Sequence, residues 1–176
     1  MAVYRRIIGT KIKQEDEVIS HAKEIAEWAQ NWTKKPWLRI AGFVGNGKTT
    51  IISAFRLAYE ITNRPRLFPI ITADRLAKLA HSDPQEFERV IALPRLIIDD
   101  LGTEPGEITS YGNKIRPIVE AMMARYCRRA LTIYTTNLTS AQFEEQYGER
   151  IADRCRELEH KIVFKQEESF RKLNNQ

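Results

Sequence analysis

The segment Gly42-Phe-Val-Gly-Asn-Gly-Lys48-Thr49 follows an apolar run, Leu38 to Phe43, and opens a helix-forming stretch that continues to about Thr62. A glycine-rich loop between a strand and a helix restricts the fold more than anything else in the chain. It fits Gly-x4-Gly-Lys-Thr in full, a pattern whose glycines let backbone N–H groups curl around phosphates while the helix N-terminus adds partial positive charge. On that pattern Lys48 reaches the β- and γ-phosphates of a nucleoside triphosphate and the Thr49 hydroxyl ligates Mg2+. Gly45, Asn46 and Gly47 contribute backbone donors. A strand, a phosphate loop and a helix therefore form the first unit of the expected fold.

The remaining sequence repeats the alternation. Ahead of the loop, Val18, Ala22, Ile25, Ala29 and Trp32 fall at steps of three and four, which predicts a helix with one apolar stripe ending near Lys34-Lys35-Pro36. After it, strands are expected at Leu67 to Ile71, Arg95 to Ile98, Leu131 to Tyr134 and Lys161 to Phe164. Between them lie a short helix, Ala73 to Ala80, and a second whose start is marked by Asp83-Pro84-Gln85-Glu86. A third carries Ile115, Val119, Met122 and Tyr126 at helical spacing. Thr139-Ser-Ala-Gln142 resembles a capping box for the next. Alternating strands and helices imply an α/β fold, a parallel sheet covered on both faces with ligands at the carboxyl ends of its strands.

A nucleotide site of this kind needs an acid at the end of another buried strand, and Leu96-Ile97-Ile98-Asp99-Asp100 supplies two. Asp99 is expected on the magnesium side. Two carboxylates a few ångströms apart repel and raise one another's pKa unless a cation lies between them, so the pair itself points to metal. Asp100 then stands where it could polarise an attacking water. Aspartate is one methylene shorter than the glutamate commoner there, which leaves open slow hydrolysis or a bridging water.

Composition bounds the rest. At 176 residues with 43% hydrophobic content the chain matches one domain. The formal charge of +5 permits an anionic partner, but basic residues alternate with 23 acidic ones instead of forming a tail. Cys127 and Cys155 lack disulfide or zinc spacing, which suits a reducing cytoplasm. No run approaches the ~18 apolar residues of a membrane span, and the first residues do not read as a signal peptide, so no membrane partner is expected.

Five ordered motifs, Gly-Asn-Gly-Lys-Thr-Thr, Leu-Ile-Ile-Asp-Asp-Leu-Gly, Leu-Thr-Ile-Tyr-Thr-Thr-Asn-Leu-Thr, Tyr-Gly-Glu-Arg-Ile-Ala-Asp-Arg-Cys-Arg and the closing Glu-Ser-Phe-Arg, resemble the AAA+ ATPases of the DnaC and IstB branch. These are replicative helicase loaders and ATP-dependent helpers of transposition. The likeness runs from about Trp32 to Lys172. It implies a three-layer P-loop NTPase with a five-stranded parallel sheet in the order 5-1-4-3-2, an ATPase domain over residues 37–176 and a linker and amphipathic helix over 1–36. With only residues 165–176 after the last strand, no carboxyl-terminal helical lid is expected.

The resemblance also implies roles. The ligand is ATP with Mg2+, held by residues 45–50, Thr50 included. Asn137 looks like the sensor that reads the γ-phosphate and positions water. Arg154 looks like an arginine finger that reaches a neighbour's nucleotide, with Arg150, one turn earlier, as its competitor. Self-association through Arg154 in trans follows. Single-stranded DNA is the implied ligand of the helices between strands two and three, where Arg75 and Lys78 lie, and a replicative helicase or a transposase-like protein is the implied partner. Two other readings stay open. A small nucleoside or nucleotide kinase would need an arginine-rich lid, for which Arg125, Arg128 and Arg129 are the available cluster; a non-hydrolysing ATP-binding scaffold is suggested by aspartate at 100.

Overall fold

The computed structural model describes residues 15–62, 68–110 and 112–164. Its elements in chain order are α1 (Glu15–Asn31), β1 (Trp37–Gly42), α2 (Lys48–Thr62), β2 (Ile70–Thr72), α3 (Ala73–Ser82), α4 (Pro84–Ala92), β3 (Arg95–Leu101), β4 (Ile108–Ser110), β5 (Asn113–Ile115), α5 (Pro117–Cys127), β6 (Leu131–Thr136), α6 (Ser140–Tyr147), α7 (Glu149–Leu158) and β7 (Glu159–Phe164). Five strands form one parallel sheet in the order β2-β3-β6-β1-β7. Counted along the sheet from the other edge, this is the expected 5-1-4-3-2 order.

The central strands β1 and β6 are almost wholly buried because both their faces are covered. Alternate residues serve alternate layers. Leu38, Ile40, Ile97, Ile133, Ile162 and Phe164 pack with Val18, Ile25 and Trp28 of α1 and Ile51 and Ile52 of α2. Trp37, Leu96, Ile98 and Tyr134 face the other way, into a cluster completed by side chains of α3 to α7. The carboxyl ends of β1, β3 and β6 thus emerge side by side between the two layers. Residues 165–176, where no helical lid is expected, lie outside the described residues.

Local signals are met where their chemistry is local. Asp83 accepts the amide of Glu86 at 3.0 Å with Pro84 in the first turn of α4. Thr139 and Gln142 exchange the two bonds of a capping box at the start of α6. Four expectations need correction. The first apolar stripe closes on Trp28, 7% exposed, whereas Trp32 is 40% exposed; α1 ends at Asn31, and the Trp28 indole donates to the Lys35 carbonyl at 2.8 Å. Strand β2 lies at Ile70–Thr72, with Leu67 outside the described residues. Ile115 belongs to β5, paired with Ile108 in a small antiparallel hairpin, because the residue before Pro117 is disfavoured in a helix. Arg125 is fully buried, so it belongs to no lid over a nucleotide.

Arg125 explains how a cation is accommodated there. Its guanidinium donates to the carbonyls of Ile91, Leu93 and Leu131 and to the Thr132 hydroxyl, at 2.7 to 3.0 Å. Burial, with Arg128 nearby, lowers its pKa to about 10. Four donated bonds tie the end of α4 and the start of β6 to α5.

A candidate functional site at the carboxyl ends of β1, β3 and β6

Gly42 ends β1 at φ +149°, where a Cβ would stand 2.8 Å from the Cβ of Phe164 and 2.9 Å from its carbonyl oxygen. Only glycine lets the chain turn there against β7. The loop that follows encloses, with residues from the ends of β3 and β6, a cavity of about 330 Å³, at the lower end of the range for small-molecule sites. Of the residues expected at the site, Gly45, Gly47, Lys48, Thr49, Thr50, Asp100 and Asn137 line it. Val44 and Thr103 line it as well, and were not foreseen. Asn46 is buried behind the loop, its amide nitrogen 3.3 Å from where a Gly42 Cβ would stand.

The Lys48 ammonium is buried and donates to the carbonyls of Gly42 at 2.7 Å and Phe43 at 2.6 Å. Desolvation lowers its pKa to about 8, against the raising influence of Asp100 and Asp99. Both acids therefore act on the lysine, although neighbours in a regular strand point to opposite faces. The cause is a bulge. Ile98 pairs with Tyr134 but Leu101 pairs with Thr136, so β3 carries one residue more than β6 over this step, and Asp100 takes φ +57°. The expected strand, ending at Ile98, continues through the bulge to Leu101.

Two threonines replace the interrupted ladder. The Thr135 hydroxyl donates to Asp99 Oδ1 at 2.6 Å and accepts the Asp100 amide at 2.7 Å. The Thr136 hydroxyl donates to the Leu101 carbonyl at 2.7 Å and accepts the Leu138 amide at 3.1 Å. Their sequence signal was two small hydroxyl residues at the end of a buried strand, immediately before Asn137. Among the described residues the buried Asn137 Oδ1 has no hydrogen-bond partner, and Asn137 lines the cavity, so an acceptor stands at its wall.

Beneath this rim lie two buried clusters that the sequence did not announce. Arg39 of β1 donates to the Leu138 carbonyl at 3.2 Å, lies over the Phe143 ring at 4.6 Å and pairs with Glu159 at 3.8 Å, while the Tyr134 hydroxyl donates to the same carboxylate. Glu104 accepts from the Gly102 amide at 2.9 Å and the Tyr147 hydroxyl at 2.5 Å. At Gly102, φ +104°, a Cβ would meet Leu138 at 2.7 Å. The loop after β3 is thus clamped to both the Asn137–Leu138 turn and the end of α6.

The donor set suits magnesium. Thr49 Oγ1 lies 3.3 Å from Asp99 Oδ1, an uncharged and a charged hard oxygen side by side. Mg2+ is typically held by one or two carboxylates plus phosphate oxygens and water, and this pair leaves those positions to a nucleotide. Among the described residues no cluster of three or more His, Cys, Asp or Glu could hold a metal by itself. Cys155 is buried, with its pKa pushed up to about 12 by desolvation first, which makes it an inert thiol.

The remaining expected residues do not line the cavity. Arg75 and Lys78 are exposed, one turn apart on α3, and Lys78 pairs with Asp74 at 2.7 Å. Arg150 is exposed on α7 and Arg154 is half-buried over the Tyr126 ring. No helix among the described residues is long and apolar enough to cross a membrane.

The sequence matches no protein-family model and no curated protein at a significant level. Solved structures do match. The crystal structure of the DnaC helicase loader superposes with a TM-score of 0.66 at 22% identity, over 88% of this chain and 92% of that one. The crystal structure of DnaI gives 0.61 at 22% identity, over 87% and 86%. AMPPCP-bound DnaA from Aquifex aeolicus gives 0.57 at 19% identity, over 86% of this chain and 48% of that one. At these identities the likeness is one of fold: the chain has the α/β fold of the DnaC and DnaI structures, the fold that the resemblance of its motifs implies.

Proposed function

We propose that the protein is an ATP-switched AAA+ ATPase that assembles on single-stranded DNA and loads or remodels a DNA-processing partner, a replicative helicase or a transposase-like protein. The observation that carries this reading is the convergence of Lys48, Thr49, Asp100 and Asn137 on one cavity, with Asp99 buried beside Thr49. Lys48 exchanges two backbone carbonyls for the β- and γ-phosphates, whose charge offsets the cost of its burial. Thr49 and Asp99 hold Mg2+, which supplies charge neutralisation at the phosphates. Asp100 orients the attacking water, and Asn137 accepts from that water through its amide oxygen or donates its side-chain N–H to the γ-phosphate. Arg154 acts on the nucleotide of a neighbouring subunit.

For DNA, Arg75 is the stronger of the two candidates on α3, since Asp74 already neutralises Lys78. Contact through phosphates makes such binding tolerant of sequence and sensitive to salt. The kinase alternative loses its main support, because Arg125 is buried and Arg129 is engaged with Glu157 and the Lys34 carbonyl.

The test is a mixed-subunit ATPase assay with oligothymidine. Lys48→Ala and Arg154→Ala subunits are each inactive alone, and their mixture recovers DNA-stimulated phosphate release. Sedimentation with a non-hydrolysable ATP analogue and oligothymidine should give a species larger than the monomer. Monomer alone, or phosphoryl transfer to a nucleoside, rules the proposal out; equal background rates in the parent and Asp100→Asn favour the scaffold.

A further inference from the structure

Arg154 is held in an unusual electrostatic setting for a surface arginine. Its guanidinium carbon lies 4.5 Å from the centroid of the Tyr126 ring, on the neighbouring helix α5. Glu157, three residues along α7 and therefore on the same helical face, is the acid that would ordinarily pair with it. That acid is engaged elsewhere. The Tyr126 hydroxyl donates to Glu157 Oε2 at 2.6 Å, and Arg129 approaches Glu157 Oε1 at 3.8 Å. Asp153, the other nearby acid, is held by Arg156 at 2.5 Å, and Arg156 also takes Glu144 at 3.0 Å. Among the described residues, the exposed ion pairs of this face thus bypass Arg154.

The geometry around Glu157 follows from the end of α5. The Arg129 amide donates to the Tyr126 carbonyl at 2.9 Å and Arg129 takes φ +47°, so the chain turns back across the helix end with its guanidinium toward α7. Glu157 also raises the pKa of the Tyr126 phenol, foremost through the hydrogen bond, which keeps that hydroxyl a donor across the neutral range.

We propose that Tyr126 is the positioning residue for Arg154: its ring is the shelf on which the guanidinium rests, and its hydroxyl, with Arg129, sequesters Glu157 so that Arg154 keeps its full charge for an anionic phosphate outside its own subunit. The inference rests on the trans role given to Arg154 above. An aromatic face holds a guanidinium with a modest, reversible attraction, whereas a carboxylate would neutralise it. A finger that must leave one contact and engage a triphosphate needs the first kind of rest.

The experiment is the DNA-stimulated ATPase of the full chain, with kcat and the KM for ATP measured separately. Tyr126→Phe keeps the shelf and releases Glu157, so kcat should fall by about three- to tenfold while KM stays unchanged. Adding Glu157→Gln removes the competing charge and should return kcat to within about twofold of the parent. Phe and Gln preserve size, and thermal unfolding of both variants should match the parent. A parental kcat in Tyr126→Phe, or no recovery in the double variant, overturns the proposal. Arg154→Ala separates the two levels: a loss of roughly 10³ in kcat upholds the finger, and parental activity in that variant sinks the finger and the inference with it.

Discussion

Thr135 and Asp99 share a buried hydrogen bond of 2.6 Å across two parallel strands, and the same hydroxyl receives the amide of Asp100 at 2.7 Å. One side chain thus fixes Asp99, the acid proposed to face magnesium, and fills the gap that the bulge leaves in the ladder. Thr135→Val keeps the shape but orphans a buried amide and removes a donor from a buried carboxylate. It should cost about 1–3 kcal/mol in urea unfolding and weaken Mg2+-dependent nucleotide binding, while Thr135→Ser restores both. Equal stability of the Val and Ser variants would contradict the assignment.

The pKa of Lys48, lowered to about 8, gives the free protein two pH signatures. Phosphates are bound by the ammonium form. ATP affinity should therefore be constant below about pH 8 and weaken toward tenfold per pH unit above it. For folding the direction is opposite. Between pH 8 and the ordinary lysine value of 10.5 the unfolded chain binds more protons than the folded one, so stability without nucleotide rises with pH across that window. In Lys48→Met both trends should vanish, as read by calorimetric titration with ATP and by Tm at several pH values.

What the sequence made legible was the chemistry written in contiguous residues. The Asp83 cap and the Thr139 capping box depend on neighbours three positions away, and both form; the glycine-rich segment is a contiguous run of eight residues, and the structure turns it between β1 and α2 against a cavity. Strand β3 was read three residues short because two charges look like a strand end; the bulge that admits them depends on the pairing register with β6. Helical spacing alone could not choose between Trp28 and Trp32, since the choice depends on where α1 stops against the sheet. Arg39, Glu104 and Glu159 escaped notice because an isolated charged residue reads as exposed, and only the fold brings their partners together.

Arg125 is the largest such case. Its cluster with Arg128 and Arg129 suggested phosphate binding, but its donors are committed to three backbone carbonyls and one hydroxyl. Arg125→Met fills the space and leaves those carbonyls unsatisfied. We expect a loss of about 3–5 kcal/mol in chemical denaturation, with ATP affinity unaltered in the fraction that remains folded. Arg128→Ala, at an exposed position, should change stability by less than about 0.5 kcal/mol.

Asp100 joins backbone strain to chemistry. Its φ of +57° lies in the left-handed region, which costs most residues about 1–2 kcal/mol, which glycine adopts freely and which asparagine and aspartate adopt at a smaller cost. A residue selected for stability there would be glycine. Asp100→Gly and Asp100→Asn should therefore fold as well as the parent, with the glycine variant up to about 1 kcal/mol more stable, and both should bind Mg2+-ATP because Thr49 and Asp99 remain. Both should hydrolyse it at least about tenfold more slowly if the carboxylate orients water as proposed. Asp99→Asn gives the contrasting outcome, in which Mg2+-dependent binding is itself impaired. Single-turnover hydrolysis beside equilibrium nucleotide binding separates the two acids; equal hydrolysis by the parent and Asp100→Asn would mean that position 100 was kept for the turn and not for the water.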